Sequence, residues 1–567
     1  DYLHLKGQIA ITKEFTKKER FIDPLSSNTT AKAQKEAELE GDLYLTKGES
    51  TNWDAQIGAY VSKSFGAHAL NASVVVNATS RKSESTSSHY RGFPSGEYHS
   101  PNYAAEIKDK PSKSQSASRL AGFLLLANYT WNDIYLADVS VRFDGSSEFG
   151  LDQKWAPFWS FGAGVNLHNY AFLNGSKVIN RMKFRASYGQ TGKVNFPSYS
   201  ARTVYRTFDR WYIAGFGVGL KALGNRDLKW ETTNKLNVGT DMEFWNSRIS
   251  LVFDYYYNKT VDLITDVTLP GSAGFSSYKS NLGETLNKGF DIQFRFDVMK
   301  NKDWNVALWG NLNHNRNEIL KISDALKAYN SQVEDYYGLA EESQTPTLSW
   351  TQAGKTYSDF IKPIMKYEEG ASLTAIYGVR SLGIDPSNGK ELYLYRNGQA
   401  SHKWKATEEV VLGDSEPKAS GSFGLNATYK NFSLFASFGY EWGKQTYNET
   451  LIMNVENADI QGSNVDKRVL TQRWEKPGDI APLKDIKDMN SVTLPTSRFV
   501  QDENVLSLDA LTLSYDFDPL WLRKIFLKTL RLEVSTNELF RLSSIKQERG
   551  TSYPFARTVN FSLRATF

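Results

Sequence analysis

The feature that most restricts the fold of this chain is an apolar alternation of period two that recurs along its length. In the clearest run the apolar positions are Phe290, Ile292, Phe294, Phe296 and Val298, and Asp291, Gln293, Arg295 and Asp297 lie between them. Successive side chains of a β-strand point to opposite faces, so this run predicts a strand with one apolar and one polar face. The pattern returns in residues 181–188, 249–257 and 511–518. Counted through the chain, such runs predict about sixteen strands.

The connections between the predicted strands fall into two length classes. Short turns are indicated at Gly66-Ala67, Asn132-Asp133, Asn246-Ser247, Asn301-Lys302-Asp303 and Lys430-Asn431. Long polar intervals occupy residues 17–51, 80–117, 190–233, 265–285, 321–420 and 445–504. Outer-membrane barrels have this asymmetry, with short periplasmic turns, long extracellular loops and strands of about 9–11 residues that alternate apolar-out with polar-in. We therefore predict an all-β fold, a transmembrane antiparallel β-barrel; the alternative is a soluble β-protein with aromatic cross-strand pairs.

Composition excludes several function classes. The 567 residues carry 67 Lys+Arg against 63 Asp+Glu, a formal charge of +4, which is too balanced for a protein that binds nucleic acid by neutralising phosphates. The chain has no cysteine, which removes disulfides, thiolate metal sites and cysteine nucleophiles. Its longest nearly apolar stretches, residues 121–127 and 213–220, are far shorter than the about 18 residues that a membrane helix needs.

The last ten residues repeat the strand pattern and end on an aromatic residue. Val559, Phe561, Leu563, Ala565 and Phe567 alternate with Asn560, Ser562, Arg564 and Thr566. This run resembles the C-terminal strand that the insertion machinery of outer-membrane barrels recognises. Phe561, Leu563, Ala565 and Phe567 are therefore predicted to form a barrel-assembly signal, and an ordinary edge strand that ends on Phe is the alternative.

No catalytic, cofactor or metal site is indicated. Gly354-Lys355-Thr356 is half of a phosphate-binding loop, but Ser349 occupies the position of the required first glycine. The seven histidines contain no HExxH motif. The string Asp385-Pro386-Ser387-Asn388-Gly389 lacks the alternating carboxylates of a calcium loop and is ordinary turn chemistry. Acidic pairs such as Glu341-Glu342 are more typical of solvated loops than of a glycosidase dyad, so the sequence makes no case for an enzyme.

Aromatic residues in the predicted outer loops are candidates for stacking on sugar rings or on peptide side chains. They are Tyr90, Phe93, Tyr98, Tyr103, Tyr205, Trp211, Tyr336, Tyr337, Trp350 and Tyr357. Packing of the loops against each other or against a partner is the more common role of such residues. The substrate-binding residues therefore stay unassigned.

Short strings that are not diagnostic alone occur in a fixed order along the chain. They are Arg142–Ser147 (RFDGSS), Phe149-Gly150, Lys154-Trp155, Arg185–Gly192 (RASYGQTG), Leu228–Thr233 (LKWETT), Leu251–Tyr256 (LVFDYY), Asn281–Glu284 (NLGE), Asn287–Phe290 (NKGF), Gly383–Pro386 (GIDP), Asn388-Gly389, Arg473-Trp474 and Lys476–Asp479 (KPGD). In order and spacing the set resembles the barrel half of the SusC/RagA family, TonB-dependent outer-membrane transporters of Bacteroidota, nearly end to end.

The resemblance implies a barrel of the plugged class, with an expected total of about 22 strands. Residues 1–567 are then expected to be its C-terminal part, with the signal peptide, N-terminal extension, plug domain and first strands outside this chain. The resemblance also implies localisation in the outer membrane and active import of large nutrients, oligosaccharides (glycans) or peptides. The implied partners are a SusD-like lipoprotein lid, outer-membrane lipid and the TonB complex, which acts through the plug. The sequence leaves open a passive porin-like channel of about sixteen strands and a surface-display or adhesin barrel.

Overall fold

The computed structural model shows one large antiparallel sheet of sixteen strands, each hydrogen-bonded to the next along the chain. The strands are β1 (Leu3–Ile22), β2 (Asp42–Phe65), β3 (His68–Arg91), β4 (Glu106–Trp131), β5 (Tyr135–Ser146), β6 (Trp155–Asn166), β7 (Ile179–Lys193), β8 (Glu231–Phe244), β9 (Ile249–Val261), β10 (Glu284–Lys300), β11 (Trp304–Lys321), β12 (Ala419–Tyr429), β13 (Phe432–Tyr447), β14 (Val500–Asp516), β15 (Thr529–Asn537) and β16 (Thr558–Thr566). A short strand, Arg541–Ser543, continues β15 and also pairs with β14.

The structure describes most of the chain. The residues outside the description are 1, 27–39, 151–152, 194–198, 213–214, 269–276, 282, 323–325, 332, 336–349, 353–354, 358–362, 459, 461–463, 489–492 and 547–556. Only the backbone is described at 207–212, 216, 265–268, 277–278, 350–352, 355–357 and 525.

The predicted alternation is confirmed by the register of the strands. One row across four strands contains Ile57, Val76, Phe123 and Phe143, all exposed. The next row, on the opposite face, contains Gln56, Asn77, Gly122 and Asp144. The sheet thus has an apolar outward face, suited to lipid, and a polar face toward the lumen, as in outer-membrane barrels.

The five predicted short turns are confirmed, and all lie at one end of the sheet. Asn132 and Asp133 adopt left-handed backbone angles, with φ of 54° and 58°, which Asn and Asp tolerate better than most residues. Two further connections at this end, 167–178 and 517–528, are longer and contain the helical turns Leu167–Asn169, Pro519–Leu522 and Arg523–Ile525. At the other end the strands are joined by the long loops.

Two of the long loops are shorter than predicted, because strands extend into both ends of each interval. Within the predicted loop 17–51, β1 continues to Ile22 and β2 begins at Asp42; within 80–117, β3 continues to Arg91 and β4 begins at Glu106. These segments are rich in Ser, Thr and Lys and lack apolar periodicity, yet their backbone groups pair with neighbouring strands. We call residues 12–22, 42–52, 81–91 and 106–118 the outer projection. β2 to β4 have 24, 24 and 26 residues, so they extend well beyond the about 9–11 needed to cross the hydrocarbon layer.

The remaining loops contain small elements of their own. The strand pairs are Val204–Tyr212 with Gly215–Ala222, Ile264–Thr268 with Ser277–Asn281, Trp350–Gln352 with Lys355–Tyr357 and Ala375–Gly378 with Val410–Asp414; Arg380–Ile384, Glu391–Leu394 and Ala400–Ser401 form a three-stranded sheet. Helical segments are Pro101–Tyr103, Ala406–Glu408, Glu449–Leu451, Ile452–Glu456, Arg468–Thr471, Ile486–Asp488 and Ser497–Phe499, together with 326–331 and 333–335. Among the helices in the described residues, none has the length and apolar character needed to span a membrane.

Three of the four apolar clusters found among the described residues lie largely in two of the outer loops. We call the described parts of the loops 322–418 and 448–499 the outer-loop assembly. Its three apolar clusters contain Val333, Val379, Trp404 and Ala406, then Ile376, Ile452 and Phe499 with Tyr447 of β13, then Val455, Ala458, Val469 and Leu483. This assembly is therefore a packed structure with a core of its own, placed at the outer end of β11 to β14.

Candidate solute path and outer mouth

The lumen face of the sheet is lined by paired charges. On β7, Arg185 donates to Asp254 of β9 at 2.7 Å and to Asp241 of β8 at 3.4 Å. On β5, Arg142 donates to Asp144 at 2.6 Å. Charges paired in this way keep the wall hydrated without creating a strong field of one sign. The arrangement can provide a wet path for a polar solute.

A row of asparagine side chains runs up the lumen face of β11. Its members are Asn311, Asn313, Asn315 and Asn317. Asn313 donates to Asp291, and Asn317 donates to Asn287 Oδ1 at 2.8 Å. A recess of about 780 Å³ opens beside the upper end of the row and is lined in part by Asn315 and Asn317. Carboxamides supply both donors and acceptors without charge, so this wall suits solutes rich in hydroxyl or peptide groups.

At the outer rim, two of the sequence strings that lie far apart in the chain come together. The rings of Phe149 and Trp230 stack with centroids 4.4 Å apart. The Trp230 indole N–H donates to the carbonyl oxygen of Lys154 at 3.3 Å, and Gly150 N donates to Leu228 O at 3.2 Å. The strings at 142–155 and 228–233 therefore form one buried corner where the loops leave the barrel wall.

A second convergence lies within the outer-loop assembly. Gly389 has a φ of +73°, and a Cβ at this position would lie 2.5 Å from the ring of Trp474. The Trp474 indole N–H donates to Pro386 O at 2.9 Å. Asp385 accepts from Ser387 N at 2.8 Å, and this backbone hydrogen bond lowers the pKa of Asp385. Residues 385–389 therefore form a turn against which the Trp474 ring packs.

A buried ionic cluster ties together different parts of the assembly. The Arg498 guanidinium donates to Glu456 at 2.6 Å, to Glu391 at 3.0 Å and to the carbonyl oxygen of Pro482 at 2.9 Å. Glu456 is fully buried. Burial favours loss of the Arg498 proton, but the attraction of Glu391 and Glu456 outweighs it and raises the pKa of Arg498. The guanidinium is therefore held charged and bridges three chain segments.

Glu409 is a further buried carboxyl group of the assembly. Its side chain is fully buried, and the nearest cation is Lys366 Nζ at 3.7 Å. Burial raises the pKa of Glu409 from 4.5 to about 7, although Lys366 acts in the opposite direction. Lys366 itself donates to Glu334 at 2.8 Å. The outer mouth thus contains a carboxyl group that titrates near neutral pH.

The aromatic residues proposed as stacking candidates do not come together in one place among the described residues. Phe93 is buried against Phe21, with ring centroids 5.2 Å apart. Tyr98 and Tyr103 are exposed with centroids 4.9 Å apart, and Tyr205 is exposed elsewhere. Tyr90 is half-buried. Tyr336 and Tyr337, and the side chains of Trp211, Trp350 and Tyr357, lie outside the described residues.

The predicted C-terminal strand is β16, paired with β15. Phe561 lies opposite Val534 and Leu563 opposite Leu532. Phe561, Leu563 and Phe567 are exposed, and with Ala565 they continue the apolar outward face of the sheet. Their role as a barrel-assembly signal stays a prediction.

Sequence reasoning missed Arg498, Glu391 and Glu456. These residues lie in loops without periodicity, and the Arg473-Trp474 string nearby is the one local signal. Arg473 is buried and donates to the carbonyl oxygens of Val469 at 2.8 Å and Lys484 at 3.2 Å. Within the described ranges, no group of three or more His, Cys, Asp or Glu residues is placed to hold a metal ion.

Comparison with protein families gives a match over most of the chain. The family described as "TonB dependent receptor-like, beta-barrel" matches residues 17–458. The curated relatives include TonB-dependent receptor P3 of Formosa agariphila, 29% identical over 514 residues, which are 89% of this chain and 49% of the relative. They also include TonB-dependent receptor SusC of Bacteroides thetaiotaomicron, 25% identical over 459 residues, which are 76% of this chain and 42% of the relative. The chain spans about half the length of the curated relatives it matches.

Among solved structures, the chain is similar to the RagAB peptide importer in its "open-open" state. The TM-score is 0.81 at 22% identity, over 100% of this chain and 59% of that chain. For the "closed-closed" state of the same importer the TM-score is 0.79 at 22% identity, over 96% and 57% of the two chains. At this identity the likeness concerns the fold.

Proposed function

The chain belongs to the TonB-dependent receptor β-barrel family of outer-membrane transporters, and from this membership we propose that it forms most of the wall of an active importer of large nutrients. The family consists of transporters and not of enzymes. The observation that carries the proposal is the two-faced sheet, which is apolar outward and lined with paired charges and carboxamides toward the lumen. The role of this chain is then to bind and guide a polar solute, without chemistry.

We further propose that this chain is the C-terminal part of a larger protein that also contains the plug, an N-terminal extension and about six further strands. The length of its relatives supports this. Within the described residues, β1 pairs with β2 alone and β16 with β15 alone. An unpaired strand edge in lipid leaves backbone groups unsatisfied, so additional strands between β1 and β16 are expected. A passive porin of sixteen strands would instead require β1 to pair with β16.

For the solute we propose oligosaccharides, with peptides as the second candidate. The asparagine row supports both, because hydroxyl groups and peptide groups each need donors and acceptors. SusC is a relative in sequence, whereas RagAB, similar in fold, is described as a peptide importer. We propose a SusD-like lipoprotein lid at the outer mouth and TonB, acting through the plug, as the partners. The open and closed states of RagAB support a mouth that a lid opens and closes.

The test begins with the intact mass of the mature protein in outer-membrane fractions. A mass well above the 64.1 kDa of this chain, with a plug sequence, is expected; a mass near 64.1 kDa would contradict the plugged importer and favour an open channel. Uptake of fluorescent oligosaccharides and oligopeptides by cells with and without the gene then identifies the solute. Uptake should stop when TonB is deleted or the proton gradient is collapsed, and uptake that survives both treatments would argue for passive diffusion.

A further inference from the structure

The outward face of the outer projection changes abruptly from apolar to charged. The last row below the projection contains Ile11, Trp53, Ser80 and Arg119, and the rows beneath it carry the exposed apolar residues of the sheet. The next outward rows contain Lys13, Thr51, Lys82 and Ala117, then Phe15, Glu49, Glu84 and Gln115, then Lys17, Lys47, Thr86 and Lys113. We call Lys13, Lys17, Lys47, Lys82 and Lys113 the lysine face.

Three of the five lysines contact carboxylates of these rows, and Lys17 contacts Glu19 of the next row outward at 2.9 Å. Lys13 Nζ lies 2.7 Å from Glu49. Glu84 accepts contacts from both Lys82 and Lys113, each at 2.9 Å. The lysine side chains of these pairs stay at least half exposed. Five lysines against two glutamates in the three rows leave the face positively charged.

The inner face of the same strands has a different chemistry. At the heights of the lysine rows it contains Glu14, Ser50, Ser83 and Ser116, then Thr16, Gly48, Ser85 and Ser114, then Lys18, Thr46, Ser87 and Ser112. These inner rows hold two charges of opposite sign, against seven charges in the outward rows. Charge is therefore confined largely to the face that continues the lipid-facing surface. A projection that needed charge for solubility alone would not require this division between its two faces.

The distance of the lysine face from the apolar rows indicates which layer of the membrane it contacts. Two residues along a strand advance about 7 Å, so the three rows lie about 7 to 20 Å along the strands beyond the last apolar row. The polar interface of a bilayer begins there, because the hydrocarbon core gives way to headgroups over about 5–8 Å on each side. The long loops place this end of the barrel outside the cell. The outer leaflet of that membrane consists of lipopolysaccharide, whose headgroup carries phosphate.

We propose that the lysine face binds the phosphate groups of outer-leaflet lipopolysaccharide. Basic residues at a membrane surface are attracted to anionic headgroups. The sheet fixes the backbone positions of the five lysines, and Glu49 and Glu84 hold three of the ammonium groups in place. This contact anchors β1 to β4 at the height where they leave the membrane. The inference depends on the outer-membrane location and not on the solute proposed above.

The test uses the full-length protein, purified from outer membranes in detergent and stripped of lipid. Retention of added lipopolysaccharide is measured by native mass spectrometry for wild type and for the variant Lys13→Gln/Lys47→Gln/Lys82→Gln/Lys113→Gln. We expect the variant to bind at least about tenfold more weakly, with a smaller salt dependence. Wild type should bind dephosphorylated lipopolysaccharide about as weakly as the variant binds the intact lipid.

The matched control removes four exposed lysines at the opposite, periplasmic end of the barrel: Lys300→Gln/Lys302→Gln/Lys430→Gln/Lys528→Gln. It should bind lipopolysaccharide as wild type does. A Lys→Arg set at the four positions of the test variant should keep binding, which separates loss of charge from loss of folding. Equal binding by the test variant and wild type, an equal loss in the control, or equal binding of the dephosphorylated lipid would overturn the proposal. Loss of a protein partner with retention of lipopolysaccharide would also overturn it and assign the face to that partner.

Discussion

The outer projection and the outer-loop assembly lie on the same side of the membrane but are held together by different forces. The projection extends four strands through backbone pairing, and the part of it that lies in β1 is exposed on both faces up to its last two residues. The outer-loop assembly has little sheet but contains apolar clusters, the buried carboxyl groups of Glu456 and Glu409 and the nearly buried guanidinium of Arg498. Backbone pairing tolerates almost any side chain, whereas packing does not. We therefore expect the two regions to differ sharply in their response to substitution.

The largest effect is expected from Arg498→Met in the outer-loop assembly. The substitution leaves Glu456 buried without its partner, which typically costs about 3–5 kcal/mol. Hydrogen exchange of residues 448–458 in the full-length protein should accelerate correspondingly. Lys113→Met in the projection is the control and should leave exchange of residues 106–118 unchanged. Similar responses to the two substitutions would contradict the distinction between the regions.

The second effect is a pH dependence confined to the outer-loop assembly. The pKa of Glu409 is raised from 4.5 to about 7, so the folded state binds this proton more tightly than the unfolded state. The contribution of Glu409 to the free energy of unfolding is then greatest below pH 4.5, falls as the pH rises to about 7 and is constant above that. At 1.36 kcal/mol per pKa unit, the stability lost between these two pH values is about 3 kcal/mol.

Exchange of residues 404–412 measured between pH 4.5 and 8, corrected for intrinsic rates, tests this dependence. Glu409→Gln should remove it. A wild-type profile that is flat, or that rises with pH, would show that Glu409 is not held in its neutral form.

A smaller effect is expected from Ile452→Val, which removes one methylene from a fully buried side chain. The expected loss of local stability is about 1 kcal/mol. The same change at Ile107, which is exposed in the projection, is the matched control and should have no measurable effect. If both variants exchange as wild type does, the packed core proposed for the assembly is looser than its burial indicates.

The smallest effect is expected from Glu84→Gln in the projection. Glu84 contacts two exposed lysines, and exposed ion pairs contribute little because water and salt screen them. These lysines, Lys113 first, lower the pKa of Glu84 to about 2. Any contribution is therefore present above pH 4.5 and lost as the pH falls toward 2, opposite in sign to that of Glu409. Exchange of residues 81–91 at physiological salt should not change, and a marked acceleration would assign Glu84 a structural role.

Much of the barrel could be predicted because its signals are local. The turn at Asn132 and Asp133 is encoded by residues that accept a left-handed backbone, and the strand at 290–298 by its alternation. The projection was missed for a related reason. Residues such as Ser83 and Ser85 show no apolar period because neither of their faces meets a core, so nothing in the sequence distinguishes a paired strand from a loop.

The two-faced strands, the uneven connections and the family resemblance can be read from the sequence alone, since each depends on residues that are close together in the chain. Which distant segments contact each other is known only from the folded structure. Trp474 lies on Gly389, and Arg498 reaches Glu391 and Glu456, because burial and ion pairing depend on distances in space that the order of residues does not specify. The separation of the lysines from the serines of the projection depends on both the sequence and the folded structure. The sequence shows that lysines and serines alternate along these strands. Which of the two faces is turned toward lipid follows from the register that aligns them with the apolar rows of the sheet below.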